Sequence, residues 1–435
     1  MKTDSNSVPN KRWLQIIPAT MLVYIVAYMD RTNIAIAMAG GMNQELGMTA
    51  TIAGLAAGIF FVGYMFLQVP GGHVAEKYSA KRFIAYTIVF WGFFAILTGF
   101  VHNSWQLLAI RFILGVAEGG VYPAILALIS HWFPNRERAR AIAYFQMNLA
   151  VAAIITSPLS GWLIALHGWR EMFIIEGVLS LALLFVWVPM VADHPHQAKW
   201  LSVREKTWIE VQLAADQLNN PYITDKKSKF NDIVGDINIW KLIGIYFFMQ
   251  VGFYGFSLWM PSLIKEITHS GMGKVGILSI FPYILTIAGQ YWFAKRCDAT
   301  MNRRLYTALP FIGFALCLFL SILLQQNMWM SYGMMVICGF FLQAYAGPFW
   351  TLPALLFPPN VVGGVRGSVN ALGNLGGFIG PYMVGALTTN VGQATALYTL
   401  VGSLLIAAAL TFTLPAITAN ARTASQVIEN VMAER

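Results

Sequence analysis

From about Trp13 to Met38 the chain presents one long apolar run, enough to cross a ~30 Å hydrocarbon core at ~1.5 Å per residue. Similar runs follow at about 50–70, 83–101, 105–130, 140–165 and 169–191, then at 239–265, 273–294, 305–325, 328–352, 368–388 and 394–415. Lipid offers no partner to a bare N–H or C=O, so runs of this length must close their hydrogen bonds internally, as helices. The expected fold is all-α: a polytopic membrane protein with twelve transmembrane helices. The chain is 57% hydrophobic and 11% charged, against roughly 25% charge in a soluble domain. Trp13–Met38 is too long for the apolar core of a cleavable signal peptide.

The net charge of +9 could suggest a nucleic-acid partner, but its placement speaks for membrane topology instead. With the N-terminus inside, Arg31 and Arg111 are intramembrane and Arg170, Lys265 and Lys274 fall outside; the other 23 of 28 Lys and Arg fall inside. That asymmetry puts both termini in the cytoplasm. An internal repeat supports the count. Glu76, Lys81 and Arg82 follow the second run, and Asp298, Arg303 and Arg304 follow the eighth at a constant offset of 222. Phe133-Pro134 with Pro158 is echoed by Phe357-Pro358 with Pro381. Two six-helix pseudo-repeats are expected, residues 1–191 and 239–415, joined by a cytoplasmic linker at 192–238 and followed by a tail at 416–435. Within the linker, Ser202-x-x-Glu205 is a capping box that starts a short helix running to about Leu218. The Lys226-Lys227-x-Lys229 run suits the inner lipid surface. His194-x-His196 reads as solvated rather than metal-binding, and Cys297, Cys317 and Cys338 offer no disulfide framework.

Two adjacent charges, Asp30 and Arg31, interrupt the first run. A charge at membrane depth costs about 3 kcal/mol or more, so it needs a partner or water. Either the pair marks the end of the span or it belongs to a polar site inside the bundle. Asp30 lies roughly 27 Å from Arg12 along a helix, short of the far headgroups; this favours the site. The fourth run carries Arg111 and Glu118, seven residues apart on one helix face. Arg111 falls level with Asp30 and Arg31, and Glu118 falls near the midplane. Matching depth predicts that Asp30 pairs with Arg111. Between them, Gly115-x-x-x-Gly119 allows close helix approach, as do Gly373-x-x-x-Gly377 and Gly376-x-x-x-Gly380.

The second half has no such charges. Its seventh run, Gln250 to Ser257, carries none, and the half offers Tyr254, Trp259, Gln343, Tyr345, Trp350, Asn370 and Asn374 instead. Such groups suit hydrogen bonds to hydroxyls or stacking on a ring. No nucleotide-binding, zinc-hydrolase or serine-hydrolase motif occurs, so no enzyme, cofactor or metal is expected.

Over nearly its full length the chain resembles the major facilitator superfamily. Gly72-His-Val-Ala-Glu76-Lys77-Tyr-Ser-Ala-Lys81-Arg82 is similar to the signature loop between spans two and three, with Glu76 for the usual Asp and Ser79 for the second Gly. Such a loop can pair charges across inner helix ends; Gly72, Glu76, Lys77, Lys81 and Arg82, with Asp298, Arg303 and Arg304 in the repeat, are the candidate gating residues. Within the superfamily the chain resembles the anion:cation symporter branch. The likeness rests on Tyr28-Met-Asp30-Arg31-Thr-Asn33, Arg111 to Pro123, Trp132-Phe-Pro-x-x-Glu137-Arg138, Trp169-Arg170 with Phe173-Ile-Ile-Glu176-Gly177, and Ala198-Lys-Trp-Leu201.

The resemblance implies import of an organic anion by proton symport across the inner membrane. Arg31 would contact the substrate carboxylate, Asp30 and Glu118 would carry protons, and Arg111 would be a charge partner. Tyr28, Asn33, Tyr64, Gln146, Tyr254, Gln343, Asn370 and Asn374 complete the candidate substrate contacts, and Glu176 is expected to be structural. The implied partners are the anion, protons and the bilayer, with a monomer as the functional unit. Anion or phosphate-ester exchange, and a transporter-like sensor, are the competing readings. A sugar acid is favoured by Gln343, Asn370 and Asn374, an aromatic acid by Tyr254, Trp259 and Trp350.

Overall fold

A computed structural model describes residues 11–146, 148–218, 234–357 and 359–415. The tail 416–435, the basic run at 226–229 and Pro358 lie outside the described residues, as does the Asp298 side chain. All regular structure among the described residues is helical. Ten stretches are long and apolar enough to cross a membrane. One of them, Ala50–Thr98, is two spans joined by a tight turn at Ala75–Ser79. A further, glycine-bearing pair, Pro359–Gly373 and Gly376–Val391, brings the spans to twelve.

The first three spans are Lys11–Ala37, Ala50–Val74 and Ala80–Thr98. The fourth is broken into Ser104–Gly119 and Val121–Trp132 and the sixth into Trp169–Ala182 and Leu184–Met190, while the fifth is described over Asn135–Gln146 and Asn148–His167. After the linker helix Val203–Leu218 come Ile237–Thr268, a pair at Met272–Leu278 and Ile280–Thr300, and Arg303–Leu323. Met328–Leu342 with Ala346–Leu356 form the tenth span, the glycine-bearing pair the eleventh, and Gln393–Phe412 the twelfth. The fourth and tenth spans, equivalent in the repeat, both break near mid-length. Gly119-Gly120 with Pro123 and Gly347 with Pro348 supply the cause: glycine loosens the helix, and proline removes a donor from it.

Close helix approach follows the small residues. A Cβ on Gly115 would stand 2.0 Å from the carbonyl oxygen of Phe60, so only glycine lets the second and fourth spans meet here. The same device joins the two halves, where a Cβ on Gly54 would lie 2.3 Å from the Pro381 carbonyl oxygen. Around this seam Thr51 and Thr389 hydroxyls meet at 3.1 Å, and Lys265 Nζ donates to the Ala39 carbonyl at 2.6 Å. These contacts all lie towards the end of the bundle away from the two termini.

The linker is tied to the other end. Ser202 and Glu205 form the expected capping box: Ser202 N–H donates to Glu205 Oε2 at 2.7 Å, and Glu205 N–H to Ser202 Oγ at 3.4 Å. Asp193 accepts from Ser79 Oγ at 2.6 Å and from the Lys81 N–H at 2.8 Å, capping the third span. Trp132 donates to the Ala192 carbonyl and stacks on Trp200 at 5.2 Å. Arg12, paired with Glu137, also lies over the Trp208 ring. These contacts fasten residues 192–208 beneath the first half.

Candidate functional site

The first and fourth spans bring Asp30, Arg31, Arg111 and Glu118 together, all buried, with at most 5% of any side chain exposed. Their pairing differs from the one that depth alone predicts. Arg111 does not pair with the Asp30 carboxylate; Nη1 donates to the backbone carbonyl of Asp30 at 2.9 Å and Nη2 to that of Arg31 at 3.3 Å. A planar fork with several donors can hold two successive carbonyls, which a point charge cannot. Arg111 therefore props the first span just where it carries its charges.

Arg31 pairs instead with Glu118, through a single Nη2···Oε2 contact of 3.5 Å. Arg31 Nε and Glu118 Oε1 are buried without a hydrogen-bond partner. The Arg31 guanidinium rests among aromatic faces, 4.6 Å from the Tyr64 centroid, 5.1 Å from Phe60 and 5.9 Å from Tyr24. The Tyr254 phenol, from the second half, lies within its electrostatic reach. The Tyr24, Tyr64 and Tyr254 hydroxyls also lie against the fork. Ring faces and neutral hydroxyls attract a cation without offering it an anion, so the fork is held in place with its charge only partly compensated.

Asp30 turns the other way. Its carboxylate accepts from Ser180 Oγ at 2.8 Å and from Asn33 Nδ2 at 3.5 Å. The same Asn33 amide donates to Glu176 Oε2 at 2.8 Å, and Glu176 Oε1 accepts from Ser160 Oγ at 2.6 Å. Spans one, five and six thus share a buried polar seam. Asn33 lies in this seam, away from the Arg31–Glu118 pair.

The remaining candidates divide into groups. Tyr28, whose buried hydroxyl has no partner, lines a small cavity with Gln343, Tyr283, Gln290 and Phe253, so the two halves meet around it. Tyr64 and Tyr254 belong to the Arg31 surroundings. Gln146 is exposed and donates to Tyr122 at 2.9 Å, one ring removed from Tyr24. Asn370 and Asn374 stand in a separate amide chain. Gln250 donates to Asn374 at 2.6 Å, Asn374 to Asn370 at 3.2 Å, and Asn370 across the halves to Gln68 at 3.3 Å. Trp259 donates to the Pro381 carbonyl and Trp350 packs edge-on against Tyr246. Gln68, Gln250, Tyr24 and Phe60 were not singled out by sequence; only the spacing of Tyr24 from Arg31, two helical turns, could have flagged one of them.

Gly72, Lys81, Arg303 and Arg304 make contacts within their own halves. A Cβ on Gly72 would touch Pro123 at 3.1 Å. Glu76, Lys77 and Arg82 side chains are exposed, while Lys81 is fixed through its backbone by Asp193 and by Trp187, which donates to its carbonyl. Arg303 reaches Cys297 Sγ, and Arg304 caps the twelfth span by donating to Leu414 O at 2.8 Å.

The family model of the Major Facilitator Superfamily matches residues 20–381. The chain belongs to the Major Facilitator Superfamily. Among relatives, a protein of Agrobacterium vitis named as a tartrate transporter is 33% identical over 94% of each chain. GarP of Escherichia coli, named as a galactarate/D-glucarate transporter, is 25% identical over 89% of this chain and 90% of its own. A bacterial homolog of the human lysosomal transporter Spinster, solved in an inward-facing and occupied conformation, superimposes with a TM-score of 0.74. It is 16% identical, over 93% of this chain and 97% of its own. As a facilitator-superfamily member the chain is a multi-pass membrane transporter and not an enzyme.

Proposed function

We propose that this transporter imports an organic anion, a sugar acid or related carboxylate, by proton symport with alternating access. The observation that carries the reading is the state of Arg31. Its guanidinium is buried, confined by aromatic rings and joined to Glu118 by one long contact. A substrate carboxylate can accept two parallel N–H bonds from such a fork, which Glu118 in this position does not. Protonating Glu118 removes its charge and releases Arg31 to the anion, so proton and substrate arrive together. When the anion and proton leave, Glu118 re-pairs with Arg31 and the empty site returns neutralised. Protonation of Asp30, which lies beside the propped carbonyls, supplies the second charge change.

Positive charge gathered at the termini end supports a cytoplasmic location for that end, in the inner membrane of a bacterial cell. The packed Gly54–Pro381 seam then lies outside, and the structure corresponds to a state closed to the exterior. Tartrate and galactarate/D-glucarate in the names of relatives support a hydroxylated acid, as do the amides Gln343, Asn370 and Asn374. The two bundles enclose the site within one chain, so a monomer is sufficient.

With two protons per cycle, a monoanion moves one net positive charge inward and responds to both pH gradient and membrane potential, whereas a dianion such as tartrate, galactarate or glucarate moves none and responds to the pH gradient alone. The test is uptake of labelled tartrate, galactarate and glucarate by proteoliposomes under an imposed inward proton gradient. Accumulation of at least one acid, abolished by an uncoupler, supports the reading. Exchange of any of these acids without gradient-driven accumulation would replace it with an antiport mechanism.

A further inference from the structure

Glu176 is fully buried, and its carboxylate faces three elements: its own sixth span, Asn33 on the first and Ser160 on the fifth. Asp30 lies in the same seam, joined to Ser180 and, through the shared Asn33 amide, to Glu176. Neither carboxylate forms an ion pair with a cationic side chain among the described residues. Arg31 is committed to Glu118, and Arg111, the cation nearest Asp30, spends its donors on backbone carbonyls. Two buried acids therefore share one amide, Glu176 with no cation against it and Asp30 with only the Coulombic reach of Arg111, whose donors go to backbone. Both cannot ionise in such surroundings at acceptable cost, and like-charged neighbours make the second ionisation harder still.

We propose that Glu176 is a further exchangeable proton-binding carboxyl of the transporter, coupled to Asp30 through Asn33. This rests on the proton-symport reading and adds a residue to it, in place of the structural role that its motif suggests. Of the cations that could neutralise the seam, a proton fits and a metal ion does not. A hard cation gathers oxygen lone pairs, whereas here the amide N–H and both serine hydroxyls point their hydrogens at the carboxylates. Asn33 Oδ1 is buried with no partner; a half-turn of the amide, with Glu176 protonated, gives it the carboxylic O–H as donor. When Asp30 gives up its proton, its new charge strengthens the hold of Glu176 on its own. The pair then releases protons in two steps rather than one.

The test needs no substrate. Difference infrared spectroscopy of the full chain in lipid, titrated in pH, reads the carbonyl stretch of neutral carboxyl groups, identified by its shift in D2O. The expected result is a titrating neutral-carboxyl band that Glu176→Gln removes and whose midpoint Asp30→Asn moves. Ser160→Ala, which keeps the carboxyl and deletes one donor, should shift the midpoint by about one to two pH units, and it serves as the readout if Glu176→Gln fails to fold. A band unchanged in Glu176→Gln would overturn the proposal, and so would a Glu176 band that never titrates. A band abolished by sodium ions would overturn the choice of proton over metal ion. Failure of proton-driven uptake with an intact, titrating Glu176 band would instead reject the symport reading.

Discussion

Glu118→Gln isolates the competition between a fixed carboxylate and the substrate for Arg31. The wild-type contact is single and long, 3.5 Å, with Glu118 Oε1 and Arg31 Nε unpartnered. A charge-assisted hydrogen bond contributes about 1.5–3 kcal/mol, and one this long belongs at the low end, about 1–2 kcal/mol. Glutamine is close in shape and carries no charge, so the anion no longer displaces an ion pair to reach the fork. The expected effect is a roughly 5–30-fold tighter apparent affinity for the anion, with little dependence on pH. Accumulation should disappear, because the emptied site can no longer neutralise Arg31 by losing a proton and so returns poorly. Exchange of labelled for unlabelled anion needs no empty return and should survive. The assay compares, in the same proteoliposomes, gradient-driven uptake with counterflow of whichever of tartrate, galactarate or glucarate the wild type takes up. Uncoupler-sensitive accumulation at the wild-type level would refute the role of Glu118 as proton carrier. A weaker affinity in counterflow would refute the competition itself.

Arg31→Lys replaces the fork by a point charge and should reduce uptake roughly tenfold to a hundredfold while the protein still reaches the membrane; near-normal uptake would remove Arg31 from the site. Arg111→Gln deletes two bonds to the carbonyls of Asp30 and Arg31 and should lower stability by about 2–4 kcal/mol. Because those bonds go to backbone, adding Asp30→Asn should not rescue it; a double variant clearly more stable in thermal melts than Arg111→Gln alone would show that the carboxylate is the partner. Gly54→Val places a branched side chain where even a Cβ meets the Pro381 carbonyl oxygen at 2.3 Å. It should hold the far end apart, cutting uptake by about tenfold or more; unimpaired uptake would mean that this seam never needs to close.

The seam between Gly54 and Pro381 shows where one-dimensional information ends. Residue spacing marks Gly115 and Gly119 as a small-residue stripe, and the stripe packs as expected, with Gly119 against the Tyr64 carbonyl. Gly54-x-x-x-Gly58 has the same small-residue spacing, and Gly58 meets the Phe378 carbonyl oxygen, but spacing does not say which helix such a stripe packs against, and here the neighbour is more than three hundred residues away. Likewise, helical rise placed Asp30, Arg31 and Arg111 at one depth, but rise carries no information on which way a side chain turns about its helix. Rotation of the first span sent Asp30 to Ser180 and Asn33 and sent Arg31 to Glu118, leaving Arg111 the backbone. Side-chain chemistry also offered Asn370 and Asn374 as substrate contacts, whereas packing joined them to Gln250 and Gln68.

What the chain determined by itself was whatever follows from local chemistry. Twelve long apolar runs in lipid leave the backbone no alternative to helices; Gly120 with Pro123 and Gly347 with Pro348 loosen the fourth and tenth spans at mid-length; Ser202 and Glu205, three residues apart, cap the helix Val203–Leu218. Tertiary structure alone decided which charges meet, because a buried ion takes whichever partner the packing brings within a few ångströms, and that choice belongs to helix rotation and to contacts between distant segments.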